Sequence, residues 1–330
     1  MTALGRPFRE FFRGEISSAK TQPGIASARP FPGFPGEETD REEGKGVTGL
    51  ARNYEKEILY HYTDYQALDG ILHDAQLRVN NVLNMNDAAE MRYFMSRLCD
   101  AVAGKLENEG ERQRAGEVRE LFREALKREY FRPAYAACFS LHRDDAAQWE
   151  RYGNRGRGVC IAFQGRHLQK MAEGALSLQT VFYQEDMTTH NLTGVFYRLV
   201  KRNGELSMEN PDIQKALNYA WSCSAAFKHP SFLSEREVRL VVSPAVRGYL
   251  DMTPHYHISK ERIKKYYPLD LASMCRKAGI GWEELVPEII IGPESTQSQS
   301  ILQDYLRDNG MEGLAERVSM SNCPLRRSPG

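Results

Sequence analysis

The sequence predicts an α+β fold, with one mixed domain after an N-terminal extension. Apolar runs of strand length, rich in β-branched and small residues, recur between residues 58 and 321. Segments with helical spacing of their apolar residues lie between these runs, and no internal repeat is visible. Strands and helices interspersed along one stretch of chain indicate a single mixed domain.

The individual elements follow from periodicity and from capping residues. Strands are predicted over residues 58–63, 133–140, 158–163, 176–183, 235–243, 286–293 and 318–321. Helices are predicted over 65–75, 144–153 and 295–308, with a long helical stretch over 88–130 that is interrupted near 109–110, and mainly helical chain over 189–226. Asp64 is the predicted N-cap of the helix over 65–75, and Gly153 is the predicted C-cap of the helix over 144–153.

Composition excludes several classes of protein. The 330 residues are 41% hydrophobic, which supports a real core, and the 44 basic residues balance the 44 acidic ones. A formal net charge of zero argues against a dedicated nucleic-acid binder with a global basic field, although a local groove stays open. No apolar run approaches the roughly 20 residues of a membrane span, and no secretory signal is visible. We therefore expect a cytoplasmic protein.

The cysteines are widely separated and show no metal-binding spacing. We predict reduced thiols and no metal site. The six residues are Cys99, Cys138, Cys160, Cys223, Cys275 and Cys323.

Residues 1–50 are predicted to be an extension outside the domain of residues 51–325, and residues 326–330 a short tail. The extension is rich in proline and glycine and then in charge, which favours disorder. Its start intersperses arginines with phenylalanines over residues 6–13, so an amphipathic helix that docks on a partner is the alternative.

Residues 227–243 place charge in a segment that otherwise resembles a core strand. In the predicted strand, Glu235, Glu237 and Arg239 point to the same side, with neighbours roughly 6.5–7 Å apart. Two carboxylates at this spacing can address neighbouring atoms of one substrate. The alternative is an exposed edge strand that carries a ladder of glutamates and arginines.

Two further positions are site candidates. His61 lies at the end of the first predicted strand, where side chains commonly border a cleft, although a lone histidine at such a position is more often a hydrogen-bonded structural residue. Trp149 and Tyr152 are three residues apart on a predicted helix and share a face, which by itself indicates core packing.

Four segments together resemble a widespread bacterial family of proteins of unknown function, over about residues 58–325. They are Leu59-Tyr60-His61-Tyr62-Thr63, then Cys138-Phe139-Ser140 with Trp149, Tyr152 and Gly158-Val159-Cys160-Ile161, then Phe227-Lys228-His229-Pro230 with Glu235-Arg236-Glu237-Val238-Arg239, and Ile289-Ile290-Ile291-Gly292-Pro293. That family in turn is similar to the ADP-ribosyltransferase superfamily. The resemblance implies a split central β-sheet with inserted helices, NAD as substrate and no metal.

The resemblance also implies roles for individual residues. His61 and Thr63 would hold the ribose and carboxamide of NAD, and Ser140 would end the second motif. Glu237, with Glu235 before it, would match the E-x-E of the third motif. Tyr62, Tyr152 and Trp149 are all candidates for the aromatic ring that stacks on nicotinamide.

The implied chemistry is the cleavage of the nicotinamide–ribose bond, which develops an oxocarbenium ion. Glu237 is the candidate that stabilises this charge, and Glu235 the candidate that orients the incoming nucleophile. Arg239 is expected at the NAD site, paired with a carboxylate that it holds ionised.

Three functions are compatible with these residues. The first is a mono-ADP-ribosyltransferase that modifies a nucleic acid or a protein, as a toxin or antiphage effector. The second is an NAD glycohydrolase on the same scaffold, and the third is a non-catalytic module that binds a nucleotide or a partner protein.

Overall fold

The structure, a computed structural model, describes residues 54–82, 88–127, 134–172, 176–183, 191–242, 253–258 and 263–325. These residues all belong to one unit, Ala51–Gly330. The predicted extension, residues 1–50, and the predicted tail, residues 326–330, lie outside the described residues. No helix in the described part of the chain is both long enough and apolar enough to cross a membrane.

Within the described residues, ten strands form one mixed sheet. They are β1 (Ile58–Thr63), β2 (Gln76–Asn81), β3 (Tyr135–Ser140), β4 (Val159–Gln164), β5 (Leu176–Thr180), β6 (Glu237–Val242), β7 (His255–Ile258), β8 (Ile263–Asp270), β9 (Glu288–Ile291) and β10 (Val318–Met320). The spatial order is β10-β9-β4-β1-β3-β2-β8-β7, with β6 beside β3 and β5 beside β6. Only the β9–β10 pair is parallel among these strands.

Helices lie between the strands, so the predicted α+β fold is confirmed. They are α1 (Tyr65–Leu72), α2 (Ala88–Asn108), α3 (Arg112–Lys127), α4 (Ala146–Arg151), α5 (Gly165–Met171), α6 (Asn191–Arg202), α7 (Pro211–Ser224), α8 (Leu271–Ala278), α9 (Trp282–Leu285), α10 (Gln299–Asp308) and α11 (Glu312–Ala315). The predicted break near 109–110 is confirmed, because Gly110 has φ +84° between α2 and α3. Asp64 caps α1 as predicted, since its carboxylate accepts a hydrogen bond from the backbone of Ala67.

The sheet divides at β3. Strand β6 pairs with β3 along its whole length and so fills one edge of it. The other edge is shared, because Asn80 of β2 pairs with Ala136 while Tyr60 of β1 pairs with Ser140. Strands β1 and β2 thus pair with opposite ends of the same edge of β3, and the sheet divides there into two arms. We call β1-β4-β9-β10 the first arm and β2-β8-β7 the second arm.

Strand β6 is central and begins later than predicted. Residues Pro230–Glu235 form a 3-10 helix, whose first turn is capped by the side chain of His229. Arg236 then takes a left-handed conformation, with φ 42°, before the strand begins at Glu237. All of β6 is buried between β3 and β5, so the alternative of an exposed edge strand is wrong.

The main core lies where α2, α3, α6 and α7 pack together and against the central strands. Aromatic rings connect these helices to one another and to the segment before β6, with Phe94 and Phe227 at 5.2 Å and Phe122 and Phe196 at 5.4 Å between centroids. Burial of such rings is the largest single contribution that side chains make to a core. This core holds Phe227, and therefore the chain that follows it, in a fixed position.

Candidate active site

A cavity of about 430 Å³ opens between the two arms of the sheet. The first arm contributes β1 and is continued by α1, the second contributes β2, β7 and β8, and β3 lies where the arms meet. Small-molecule sites usually have volumes of about 300–1,000 Å³. The branch in the sheet thus creates a cavity of the size of a ligand site.

Most of the predicted site residues meet at this cavity. Seven of the nine line it, namely His61, Tyr62, Thr63, Ser140, Tyr152, Glu235 and Glu237. Trp149 and Arg239 are fully buried and do not line it.

The two carboxylates share one buried ammonium group, which belongs to Lys228. Its Nζ lies 2.6 Å from an oxygen of Glu235 and 3.2 Å from an oxygen of Glu237. The three side chains are almost wholly buried, so their charges are screened by very little water. Lys228 also lines the cavity, although it is not among the site residues predicted from the sequence. Its signal in the sequence is its place in Phe227-Lys228-His229-Pro230, one of the segments that carry the family resemblance.

The neighbours of Glu237 favour its ionised form. Burial by itself raises the pKa of this carboxyl, but Arg239 and Lys228 outweigh burial and lower the pKa to about 2. Arg239 binds both carboxylate oxygens, through Nε at 2.8 Å and Nη2 at 3.0 Å. The thiol of Cys138 completes the set, so the roughly four acceptor positions of the carboxylate are filled. Arg239 therefore acts behind Glu237 and does not reach a ligand, which corrects its predicted place in the NAD site.

Glu235 has partners that reach the surface. Arg151 Nη1 lies 2.5 Å from one oxygen, and the Tyr152 hydroxyl donates to the same carboxylate at 3.4 Å. The Arg151 side chain is 47% exposed, and Tyr152 is 39% exposed. One side of Glu235 is thus held by groups that can move, whereas Glu237 is held on all sides.

Trp149 and Tyr152 do not share an environment, contrary to the prediction of joint core packing. Trp149 is fully buried, and its Nε1 donates to Asp144 at 2.6 Å while its ring meets Tyr62 edge-on at 4.9 Å. Tyr152 is the C-cap of α4, with φ −120°, so its side chain leaves the helical register. Tyr62 is engaged as well, because its hydroxyl donates to the carbonyl of His142 at 2.7 Å. Of the three candidate stacking rings, Tyr152 is the exposed one that lines the cavity.

The surroundings of His61 favour the neutral form of its imidazole. Burial lowers its pKa, and Nδ1 lies 2.8 Å from the carbonyl oxygen of Cys138, which only accepts hydrogen bonds. Nδ1 therefore carries the proton, and Nε2 is a hydrogen-bond acceptor. No side chain or backbone group in the described ranges bonds to Nε2. The strand predicted over residues 58–63 is confirmed as β1, and His61 lies two residues before its end.

Ser140 holds the backbone of Glu235 in place through hydrogen bonds. Its hydroxyl donates to the backbone carbonyl of Glu235 at 2.9 Å and accepts from the backbone of His142 at 3.1 Å. These two bonds use its single proton and fix the chain that carries Glu235. Ser140 is therefore a positioning residue.

The second arm contributes residues that the sequence analysis did not identify. Arg78 on β2, His257 on β7 and Lys264 on β8 all line the cavity.

Among the described residues, no group of three or more His, Cys, Asp and Glu side chains is arranged to hold a metal ion. One end of the cavity holds two carboxylates whose charges are paired with cations, and the wall formed by the second arm is basic.

Comparison with known proteins identifies part of the chain. Residues 148–240 match a family model described as a protein of unknown function (DUF2971). The matched segment runs from α4 to β6 and holds Lys228, Glu235 and Glu237, so it includes the acidic end of the cavity. It is shorter than the span of about 58–325 over which the sequence resembles such a family. No curated protein and no solved structure matches the chain. The similarity to ADP-ribosyltransferases stays a prediction.

Proposed function

We propose that this domain binds NAD in the cavity between the two arms and transfers its ADP-ribose to an acceptor. One observation carries the proposal. His61, Ser140, Glu235 and Glu237 come from three distant parts of the chain, and all of them line a single cavity of about 430 Å³. Distant polar residues that meet in one cleft are the usual mark of a functional site.

The reaction breaks the bond between the nicotinamide nitrogen and the ribose, and the bonding electron pair leaves with nicotinamide. The ribose carbon becomes an oxocarbenium ion and then bonds to a nucleophile of the acceptor, which loses a proton. A fixed negative charge beside this carbon stabilises the transition state more than the ground state. Glu237 provides such a charge, since a pKa of about 2 keeps it ionised at any neutral pH.

Glu235 has the freedom that Glu237 lacks. Its partners Arg151 and Tyr152 are partly exposed, so an acceptor group can take the place of one of them. In the proposed reaction Glu235 orients the nucleophile and accepts its proton. Lys228 and Ser140 fix the position of Glu235 and do not react.

The other cavity residues bind the substrate. The Nε2 acceptor of His61 receives a hydrogen bond from a ribose hydroxyl, and Thr63 lies beside it at the end of β1. Tyr152 provides the exposed ring against which nicotinamide stacks. The acceptor is a nucleic acid or a protein, and the biological role that fits this activity is that of a toxin or an antiphage effector.

A specific observation also favours a second function, a nucleotide-binding module that does not turn over NAD. Two carboxylates are paired with three cations, Lys228, Arg151 and Arg239. The local charge is therefore positive overall, which reduces the stabilisation that Glu237 can give to an oxocarbenium ion. In that case the same cavity recognises a nucleotide without chemistry.

Incubation of the protein with NAD labelled in its adenylate half distinguishes these functions. Label on a macromolecule supports the transferase. Free labelled ADP-ribose supports a glycohydrolase, in which water is the nucleophile. Binding without either product supports the non-catalytic module and contradicts the proposed reaction.

Variants assign the chemistry to residues. We expect Glu237→Gln to lower turnover by about a hundredfold or more, the size of effect seen when one group that stabilises transition-state charge is removed. Glu107→Gln is the control, because Glu107 is exposed on α2 and does not line the cavity. Equal turnover in wild type and Glu237→Gln would remove Glu237 from the mechanism.

A further inference from the structure

The second arm presents a basic face to the cavity. Lys264 of β8 pairs directly with His257 of β7, and two residues along β8 Tyr266 pairs with Asn80 of β2. Side chains alternate along a strand, so Lys264 and Tyr266 point to the same side. Arg78 is on that side too, because it is two residues from Asn80 on β2.

Arg78 and Lys264 converge even though they belong to different strands. The Arg78 guanidinium carbon lies 5.0 Å from the ring centroid of Tyr266. Tyr266 and Lys264 are same-side neighbours on β8, roughly 6.5–7 Å apart. The guanidinium therefore lies over the Tyr266 ring, next to the position from which Lys264 extends, and both Arg78 and Lys264 line the cavity.

The charge of this basic face is not compensated. No carboxylate in the described parts of the chain forms an ion pair with Arg78 or Lys264. Three carboxylates belong to described residues that line the cavity. Asp64 caps α1, and Glu235 and Glu237 are paired with other cations. A half-buried guanidinium and ammonium that share a cavity wall without anions attract an anionic ligand.

We propose that Arg78, Lys264 and His257 form a subsite for the phosphate groups of a nucleotide. Phosphate oxygens accept the paired N–H groups of a guanidinium, and an adjacent ammonium adds a point charge. The proposal rests on the proposed function for its orientation: the diphosphate of NAD lies against the second arm, and the ribose bond that breaks lies at Glu237. The subsite gives the second arm a role in binding that is separate from the chemistry proposed for Glu235 and Glu237.

Lys265, on the same β7–β8 hairpin, is a matched control for replacement of Lys264. Lys265 follows Lys264 directly, so it points to the opposite side of the sheet, and its Nζ lies 5.7 Å from the ring centroid of Tyr267. Lys265 does not line the cavity. Replacing Lys264 or Lys265 removes the same charge from the same hairpin, and only the first change removes it from the proposed subsite.

Calorimetric titration with ADP tests the subsite without any need for turnover, because ADP carries the diphosphate but no nicotinamide. We expect wild type and Lys265→Ala to bind ADP equally, and Lys264→Ala and Arg78→Gln each to weaken binding by about tenfold or more. Within the described ranges, no hydrogen bond, ion pair or ring contact involves the Lys264 side chain, so Lys264→Ala is expected to fold normally.

The outcomes separate this subsite from the proposed reaction. ADP binding that depends on Arg78 and Lys264, in a protein that does not cleave NAD, supports the subsite and contradicts the reaction. Cleavage of NAD whose KM is the same in Lys264→Ala and in wild type overturns the subsite and leaves the reaction standing. Absence of ADP binding by the wild type, or an equal loss in Lys265→Ala and Lys264→Ala, also overturns the subsite.

Discussion

Lys228 is the residue on which the geometry of the acidic end depends. Its ammonium bonds to both Glu235 and Glu237, and all three side chains are almost fully buried. A buried ion pair adds little net stability compared with apolar packing, but removal of one partner is costly because the other charge stays buried. Lys228 therefore fixes the distance between the two carboxylates and makes the local fold sensitive to its loss.

Replacement of Lys228 is predicted to destabilise the protein far more than replacement of Arg151, although both bond to Glu235. Lys228→Met leaves two buried carboxylates undercompensated and should cost about 3–5 kcal/mol. Arg151 is 47% exposed, so Arg151→Met should cost about 1 kcal/mol or less. Urea unfolding of the two variants measures the difference, and similar costs for both would show that burial does not control this network.

The lowered pKa of Glu237 predicts that the free energy of unfolding decreases as the solution becomes acidic. Its pKa in the folded protein is lowered from 4.5 to about 2, since Arg239 and Lys228 outweigh the opposing effect of burial. A lowered carboxyl pKa contributes stability that is complete above the unfolded pKa and is lost as the pH falls towards the folded pKa. The contribution is about 3 kcal/mol and should disappear between about pH 5 and pH 2.

The free energy of unfolding, measured from pH 6 to pH 3, checks this contribution. Glu237→Gln is less stable than wild type at pH 6 because Arg239 loses an ionised partner. Its stability should nevertheless fall less steeply with decreasing pH. An equally steep fall in both proteins would mean that another carboxyl is responsible.

The sequence predicted the acidic side of the site because its residues break a pattern. Glu235 and Glu237 interrupt an apolar segment, and His61 interrupts a strand. Arg78 and Lys264 give no comparable signal, since a cation in a segment that holds other polar or charged residues resembles an ordinary solvated surface. Their place in the cavity depends on strand pairing, which one sequence does not display.

At the scale of elements, the chain that enters β4 passes very close to the end of β1. A Cβ on Gly158, just before β4, would lie 2.1 Å from the backbone oxygen of Thr63. Thr63 is the last residue of β1 and lines the cavity. Gly158 thus permits the end of β1 to pack against β4 next to the site.

Gly158→Ala is predicted to destabilise the protein by about 1–3 kcal/mol or more, because backbone atoms must move to relieve the overlap. Gly70→Ala is the matched control. Gly70 lies within α1, where an added Cβ meets no atom within 4 Å, so this change should stabilise by up to about 1 kcal/mol. Thermal unfolding measures both changes, and a neutral Gly158→Ala would contradict the close packing of β1 on β4.

Periodicity identified the buried strands and missed the second arm. Strands β4 and β9 hold uninterrupted runs of buried apolar residues, whereas β7 has four residues that are mostly exposed at the edge of the sheet. Strand β8 contains Pro268 and two adjacent lysines, which weaken its strand signal. The predicted start of β6 at residue 235 was also wrong, because Glu235 ends a 3-10 helix and Arg236 takes a left-handed conformation before the strand begins.

At the scale of the whole molecule, the cavity exists because two arms leave one edge of β3. The pairs that create it, Tyr60 with Ser140 and Asn80 with Ala136, join residues far apart in the chain. Such pairing depends on tertiary packing and not on local pattern. The sequence therefore predicted which residues could form a site, and the topology shows where they meet.

The most direct test of the central claim, that NAD binds between the two arms, is to block the cavity from α1 and measure NAD binding by calorimetry. Ala67 lines the cavity, whereas its neighbour Gln66 is exposed and does not. Tryptophan at position 67 fills space in the cavity, and tryptophan at position 66 adds the same ring outside it. We predict that wild type and Gln66→Trp bind NAD with the same affinity and that Ala67→Trp binds at least about tenfold more weakly. Equal NAD affinity in Ala67→Trp and wild type, or no binding by the wild type, would contradict the claim.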